Sequence, residues 1–219
     1  MIKWNNIETI LLDMDGTLLD LNFDNHFWLE FVPQRYAEQN KLTIEQAKKQ
    51  LVPQFKEMEG KLEWYCLDYW SEVLKLDIVG LKTEISGLIS VLPHVIEFLE
   101  AAQQSSRKII LVTNAHRASL DLKMGETCLA PFFDQIISSH DYGSPKETQA
   151  FWTQLYAQQP FDNQKTLLVD DSLAVLKSAR LYGIKHLISI SKPDSQQAKR
   201  EINDFTAIED FRELMPFLL

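Results

Sequence analysis

Four short apolar runs limit what this chain can fold into: TILLD at 9–13, KIILVTN at 108–114, TLLVDD at 166–171 and HLISIS at 186–191. Each is rich in Ile, Leu and Val and shows little alternation with polar residues. A strand covered on one face alternates, whereas a strand covered on both faces does not. The runs therefore read as strands buried on both faces, with FDQIISS at 133–139 a weaker fifth candidate. Helical segments fall between them. LPHVIEFLEAAQQ carries Pro93 near its start and apolar residues at 95, 98, 99 and 102. SLAVLKSARLYG ends in Gly183, a residue suited to a left-handed C-terminal cap. Strands alternating with helices imply an α/β fold, a doubly wound parallel sheet with helices on both faces.

Residues 21–91 break that rhythm, because they hold no convincing strand. LTIEQAKKQL contains a capping box, Thr43 with Gln46 three residues on. KLEWYCLDYWSEVLKL places Trp64, Leu67, Trp70, Val73 and Leu74 at helical spacing. The expected organisation is a catalytic core of residues 1–20 and 92–219 interrupted by an all-helical cap at 21–91. An insertion at that point lies over the carboxyl ends of the strands, where open α/β sheets bind ligands.

The totals narrow the function. The 219 residues carry a formal net charge of −9, so the surface repels polyanions and a nucleic-acid polymer is not the expected partner. Two cysteines, Cys66 and Cys128, are too few for a disulfide framework and suit a reducing compartment as packed thiols. The opening MIKWNNIETILL has no basic stretch leading into an apolar one, and no run reaches about 18 apolar residues. A cytoplasmic protein without a membrane partner is expected.

Three of the strand candidates end in polar residues. The first ends in Asp13, followed by Asp15, Gly16 and Thr17; the second in Thr113 and Asn114; the third in Asp170 and Asp171. Between the latter two, Lys146 sits in the loop GSPKE. In a parallel sheet all these ends share one rim. Clustered carboxylates repel unless a cation joins them. Oxygen-only ligands point to Mg²⁺. One carboxylate can act as a nucleophile and a second as general acid and base. A hydroxyl and an ammonium can steady charge on phosphoryl oxygens. Gly16 permits a sharp turn after the strand.

The motifs DMDGTL, LVTN, PK and LLVDDS, in that order, resemble the four motifs of the haloacid dehalogenase-like (HAD) hydrolases, and the helical insertion resembles the cap of their first subfamily. More closely, LLDMDGTLLDLNFDNHFW, WYCLDYWSE, TNAH, PKE and DDS look like the bacterial GMP/IMP 5′-nucleotidases of that subfamily. The resemblance implies a Rossmann-like core and a Mg²⁺-dependent phosphatase acting on a small phosphate monoester, GMP or IMP, through an aspartyl-phosphate. It implies that Asp13 is nucleophile and metal ligand, and that Asp15 is general acid and base with its carbonyl also on the metal. Thr113, Lys146 and the Asn114 amide would hold the phosphoryl group, and Asp171 would complete the metal site, with Asp170 sharing the ligation. One position departs from the family pattern: Val175 stands where many members carry a further Asp or Asn.

Other readings of the same residues are weaker. A calcium loop of the EF-hand type needs glycine at its sixth position and glutamate at its twelfth. Counted from Asp13, glycine is fourth and the twelfth residue is Asp24. Asp170 and Asp171 alone could cap a helix. The aromatics of the insertion, among them Phe27, Trp28, Trp64, Tyr65, Tyr69 and Trp70, read as bundle core or as a stacking surface for a purine. Phe23, Asp24 and Asn25, next to the first motif, are the expected substrate contacts, and His116 is a lesser candidate on the rim. Alternatives are a phosphatase for phosphoglycolate or a sugar phosphate, and a non-catalytic binding module of the same fold.

Overall fold

The computed structural model of the chain describes residues 4–215; the outermost residues of the segments 1–20 and 92–219 lie outside them. Six parallel strands form one sheet: β1 (Thr9–Leu12), β2 (Lys108–Thr113), β3 (Gln135–Ser138), β4 (Thr166–Asp170), β5 (His186–Ile190) and β6 (Thr206–Ile208), in the order β3-β2-β1-β4-β5-β6. The five strand candidates of the sequence are all present. β6 is an additional three-residue edge strand, too short to register as an apolar run.

Period two is hidden inside those apolar runs. Ile10, Leu12, Ile109, Leu111, Leu167 and Val169 pack into one apolar cluster, while Leu11, Ile110, Val112 and Leu168 pack into another. Neighbouring residues of a strand point to opposite faces, so a strand covered on both sides must be apolar throughout. Helix α7 (Val95–Gln103) covers the first face through Val95, Phe98, Leu99 and Ala102. Helices α9 (Gln149–Gln158) and α10 (Leu173–Tyr182) cover the second, and α10 ends on Gly183 at φ +104°. Helix α8 (Arg117–Thr127) follows β2.

Between β1 and α7 the chain is helical: α1 (Asn22–His26), a π-type turn at Phe27–Phe31, α2 (Val32–Asn40), α3 (Ile44–Met58), α4 (Leu62–Tyr65), α5 (Leu67–Leu74) and α6 (Ile78–Glu84). The Thr43–Gln46 capping box is formed at the start of α3. Phe27, Val32, Leu51, Phe55, Trp70 and Ile78 make a third apolar cluster, separate from the two that sandwich the sheet. The stretch with helical spacing forms two helices, α4 and α5, which meet at Cys66. That residue takes an extended conformation, and its sulfur accepts the Tyr69 amide at 3.5 Å, capping α5. Helical spacing of the apolar residues carries through such a one-residue break.

Between β1 and β4 the order in which strands are added to the sheet reverses, and the crevice at their carboxyl ends is where doubly wound sheets bind ligands. Asp13 follows β1 and Asp170 ends β4.

Candidate active site

The amide of Asp13 still donates to the Val169 carbonyl at 3.0 Å, so the sheet ladder itself aims this carboxylate. The chain then turns back tightly: the Leu18 and Leu19 amides close on the Met14 carbonyl, and Gly16 adopts φ +80°. A Cβ on Gly16 would stand 2.8 Å from the carboxyl carbon of Asp171, so only glycine fits both the backbone and the space. From β4, Asp170 accepts the Ser172 amide at 2.9 Å, and the Ser172 hydroxyl caps α10.

Lys146 lies 1% exposed among these acids. Its Nζ donates to Asp13 Oδ1 at 2.5 Å, to Asp170 Oδ2 at 2.8 Å and to the Val112 carbonyl at 3.0 Å. Its amide donates to Asn114 Oδ1 at 2.9 Å. All three ammonium hydrogens are thus used, and the two carboxylates raise the Lys146 pKa despite a burial effect that would lower it. Thr113 accepts the Ala115 amide at 3.0 Å, which leaves its hydroxyl hydrogen to donate. Val175, the departure from the family pattern, is buried in the apolar cluster under α10.

Asp13, Asp170 and Asp171 each bring a carboxylate oxygen within 4.8 Å of the others. Burial, the dominant effect, pushes Asp13 up to about 7, with Asp170 and Asp15 adding to it against Lys146. Burial and the Asp13 charge push Asp171 up to about 7 against Arg200. Asp170 rises to about 6 through burial, held back by Lys146. Three carboxylates facing one ammonium leave surplus negative charge, and an all-oxygen donor set of this kind fits Mg²⁺.

Asp15 is held differently. Lys123, from α8 and 1% exposed, donates to Asp15 Oδ1 and Asp24 Oδ2, both at 2.6 Å. Lys82, from α6 and 2% exposed, donates to Asp24 Oδ1 at 2.6 Å. Burial alone would raise Asp24, yet the two ammoniums hold it far below the usual carboxylate range. Burial raises Asp15, with Lys123 opposing. Neither lysine was among the expected site residues. Their sequence signal was available: Lys123 stands three residues after buried Leu120, and Lys82 four after buried Ile78, each in an apolar register where lysine needs a partner.

These side chains floor a cleft of about 700 Å³ whose upper wall includes Trp28, Phe55, Trp64 and Tyr65. The volume suits a drug-sized ligand. The Tyr65 hydroxyl donates to Glu147 Oε1 at 2.6 Å and Asn114 Nδ2 donates to Oε2 at 2.9 Å, so Glu147 links the helical insertion to the sheet edge. Asp24, Asn25 and His116 line the cleft; Asn25 also donates to Asp194 at 2.7 Å. Phe23 departs from the expectation. It is 1% exposed and absent from the cleft wall, with its ring against Phe27 and under the Lys82 and Lys123 ammoniums at 4.8 and 5.2 Å. On α1 it takes the inward face while Asp24 and Asn25 reach the cleft.

Comparison with known proteins extends this picture. The family model for haloacid dehalogenase-like hydrolases matches residues 10–188. The GMP/IMP nucleotidase YrfG of Escherichia coli (strain K12) is 39% identical over 218 residues, covering 100% of this chain and 98% of that protein. Two solved structures share the fold: a HAD phosphatase from Thermococcus onnurineus (TM-score 0.80, 20% identity, 97% of this chain and 98% of that one) and the magnesium-bound HAD-hydrolase YfnB from Bacillus subtilis (TM-score 0.64, 22% identity, 97% and 98%). The motif order, the strand order and a match running from β1 into β5 agree, and the chain belongs to the haloacid dehalogenase-like hydrolases.

Proposed function

We propose that this hydrolase is a cytoplasmic, Mg²⁺-dependent phosphatase that acts on purine nucleoside 5′-monophosphates, GMP and IMP foremost, with residues 21–91 as its cap. The carrying observation for the chemistry is the buried Asp13–Lys146 pair on the floor of the cleft, with Asp15 two residues on. The substrate assignment is supported by the likeness to the E. coli nucleotidase, which runs through the cap as well as the core, and by the aromatic upper wall of the cleft. The unpaired thiols Cys66 and Cys128 fit a reducing compartment.

Asp13 attacks phosphorus to form an aspartyl-phosphate while Asp15, in its acid form, gives its proton to the departing ribose 5′-oxygen. Burial favours that acid form. Asp15 then takes a proton from water, which attacks the phosphorus and frees Asp13 and inorganic phosphate. Lys123 sets the direction of the Asp15 carboxyl throughout. The Thr113 hydroxyl and the Asn114 amide would bond the phosphoryl oxygens, and the Lys146 ammonium, whose hydrogens go to Asp13, Asp170 and Val112, would add positive charge beside them. Magnesium would be held by Asp13, Asp171 and the Asp15 carbonyl. When bound it supplies positive charge to the phosphoryl oxygens and lets Asp13 and Asp171 stay ionised together. Asp170, with both oxygens engaged by Lys146 and Ser172, serves to place Lys146 beside the metal site.

Phosphate release from GMP, IMP, AMP, phosphoglycolate and sugar phosphates, with Mg²⁺ and with excess EDTA, tests the reading. GMP and IMP should give the highest kcat/KM, and EDTA should abolish turnover. Preference for phosphoglycolate or a sugar phosphate would overturn the substrate class. Turnover of none of them would favour a binding module.

A further inference from the structure

Behind Tyr65, outside the carboxylate cluster, three soft or borderline ligands meet from three parts of the chain. Cys66 comes from the break between α4 and α5, His116 from the turn after β2, and His140 from the turn after β3. One ligand atom of each lies within 4.8 Å of the other two. The two imidazoles stand edge to face, with centroids 5.0 Å apart. We propose that Cys66, His116 and His140 form a binding site for a divalent transition cation of the zinc class, which ties the helical insertion to the loops at the sheet edge.

The state of His140 is what makes this more than proximity. Its Nε2 is buried and has no hydrogen-bond partner among the described residues. A buried nitrogen without a partner costs stability unless something completes it. His116 has a carboxylate at hand, with Nε2 3.6 Å from Asp68 Oδ2, and its Nδ1 accepts the Ala118 amide at 3.4 Å, a long bond that ligation through Nδ1 would replace. A ligating histidine commonly gives its second N–H to such a group.

One thiolate and two imidazoles select a cation different from the one that Asp13 and Asp171 suit. Sulfur and nitrogen donors favour zinc and its neighbours over magnesium. Zinc bonds of about 2.0–2.3 Å in a tetrahedron keep ligand atoms about 3.3–3.7 Å apart, so a side-chain shift of roughly one ångström closes the set around a cation, with water in the fourth position. Binding releases the Cys66 thiol proton to solvent. Tyr65 and Leu67, on either side of Cys66, line the cleft, as does His116. An occupied site therefore holds the cleft wall against the sheet edge and slows substrate exchange.

Cobalt(II) reports thiolate ligation directly, through a sulfur-to-cobalt charge-transfer band that a carboxylate site cannot give. Titrated into the full-length protein with Mg²⁺ in excess, it should produce that band, saturating at one equivalent and reversed by zinc. The band should vanish in Cys66→Ser, fall sharply in His140→Gln and persist in Cys128→Ser. No band in the wild type, or a band that survives Cys66→Ser, would overturn the site. With p-nitrophenyl phosphate as substrate and Mg²⁺ in excess, half-inhibition of Cys66→Ser should need about tenfold more zinc or beyond, on the scale of losing a metal contact. Equal inhibition of both proteins would overturn the tie between insertion and sheet edge. The cobalt band needs no turnover, so the site and the phosphatase reading fail separately.

Discussion

Lys123 and Asp15 form an ion pair of 2.6 Å in which the lysine side chain is 1% exposed, and the same ammonium bonds Asp24 at 2.6 Å. One buried cation from α8 thus fixes a motif carboxylate and the first helix of the insertion together. Removing one partner of a buried ion pair costs about 3–5 kcal/mol, because the remaining charge is stranded. Lys123→Met should lower the unfolding midpoint strongly and cut kcat. Lys82→Met, which strips only Asp24, should lower stability while sparing more of kcat. Thermal unfolding and steady-state kinetics on both variants check this; equal kcat losses would mean that Lys123 does not position Asp15.

Asp13→Asn should leave the fold intact, since the amide oxygen can still accept from Lys146. Turnover should fall about 10³-fold or more, the scale on which a member of a catalytic unit fails. Near wild-type turnover in a correctly folded variant would end the aspartyl-phosphate mechanism.

A loss of stability towards higher pH follows from Asp171. In the metal-free protein burial and the Asp13 charge raise it to about 7, against an ordinary value of about 3.9. Between those values the folded state keeps a proton that the unfolded chain has released, so this group's contribution to stability falls as pH rises through the window. Asp171→Asn should therefore be more stable than the wild type above pH 7 in EDTA, with the advantage shrinking towards pH 4. Mg²⁺ should erase the difference by stabilising the wild type. Urea unfolding across that pH range is the measurement, and parallel pH profiles would contradict the assignment.

Gly16→Ala joins backbone and site. A left-handed backbone costs a residue with a Cβ roughly 1–2 kcal/mol, and the added atom would meet Asp171 at 2.8 Å and Pro193 at 3.0 Å. The variant should be less stable and should need more Mg²⁺ for half-maximal activity. An unchanged Mg²⁺ requirement would show that Asp171 can move aside without loss.

Much of this was legible in the sequence because it rests on local rules. The apolar runs became β1 to β5, and the polar residues at their ends meet at the sheet edge, since a parallel sheet leaves them nowhere else to go. What escaped depends on tertiary pairing. Periodicity marks Lys82 and Lys123 as lysines in apolar registers but cannot say that Asp24 lies between them. Helical spacing across 64–74 does not show that Cys66 starts a new helix, its sulfur capping the Tyr69 amide. Phe23 is close to Asp13 in sequence, yet nearness along the chain does not choose the face of α1, and the ring went to the lysines rather than the cleft.

On the nucleotide substrate proposed above, base recognition would fall to the aromatics that do line the cleft. Trp28 packs against Phe27, Phe55 and Trp70, so truncating it would hollow the apolar cluster of the insertion and confuse binding with folding. Trp64 is half-buried, lies in the cleft wall and has a single aromatic contact, Phe55 at 6.2 Å. Its backbone carbonyl, not its ring, accepts the Trp70 indole N–H. The ring is therefore the cleaner probe. Losing a stacking partner costs about 1–3 kcal/mol per base, or roughly 5- to 150-fold in binding. Trp64→Ala should raise KM for GMP and IMP within that range and leave KM for p-nitrophenyl phosphate nearly unchanged, because the small substrate reaches only the floor of the cleft. Kinetics on both substrates, with a thermal melt to confirm folding, make the comparison. Equal increases on the two substrates would assign Trp64 to packing and move base recognition to Asn25 and Lys56 on the same wall.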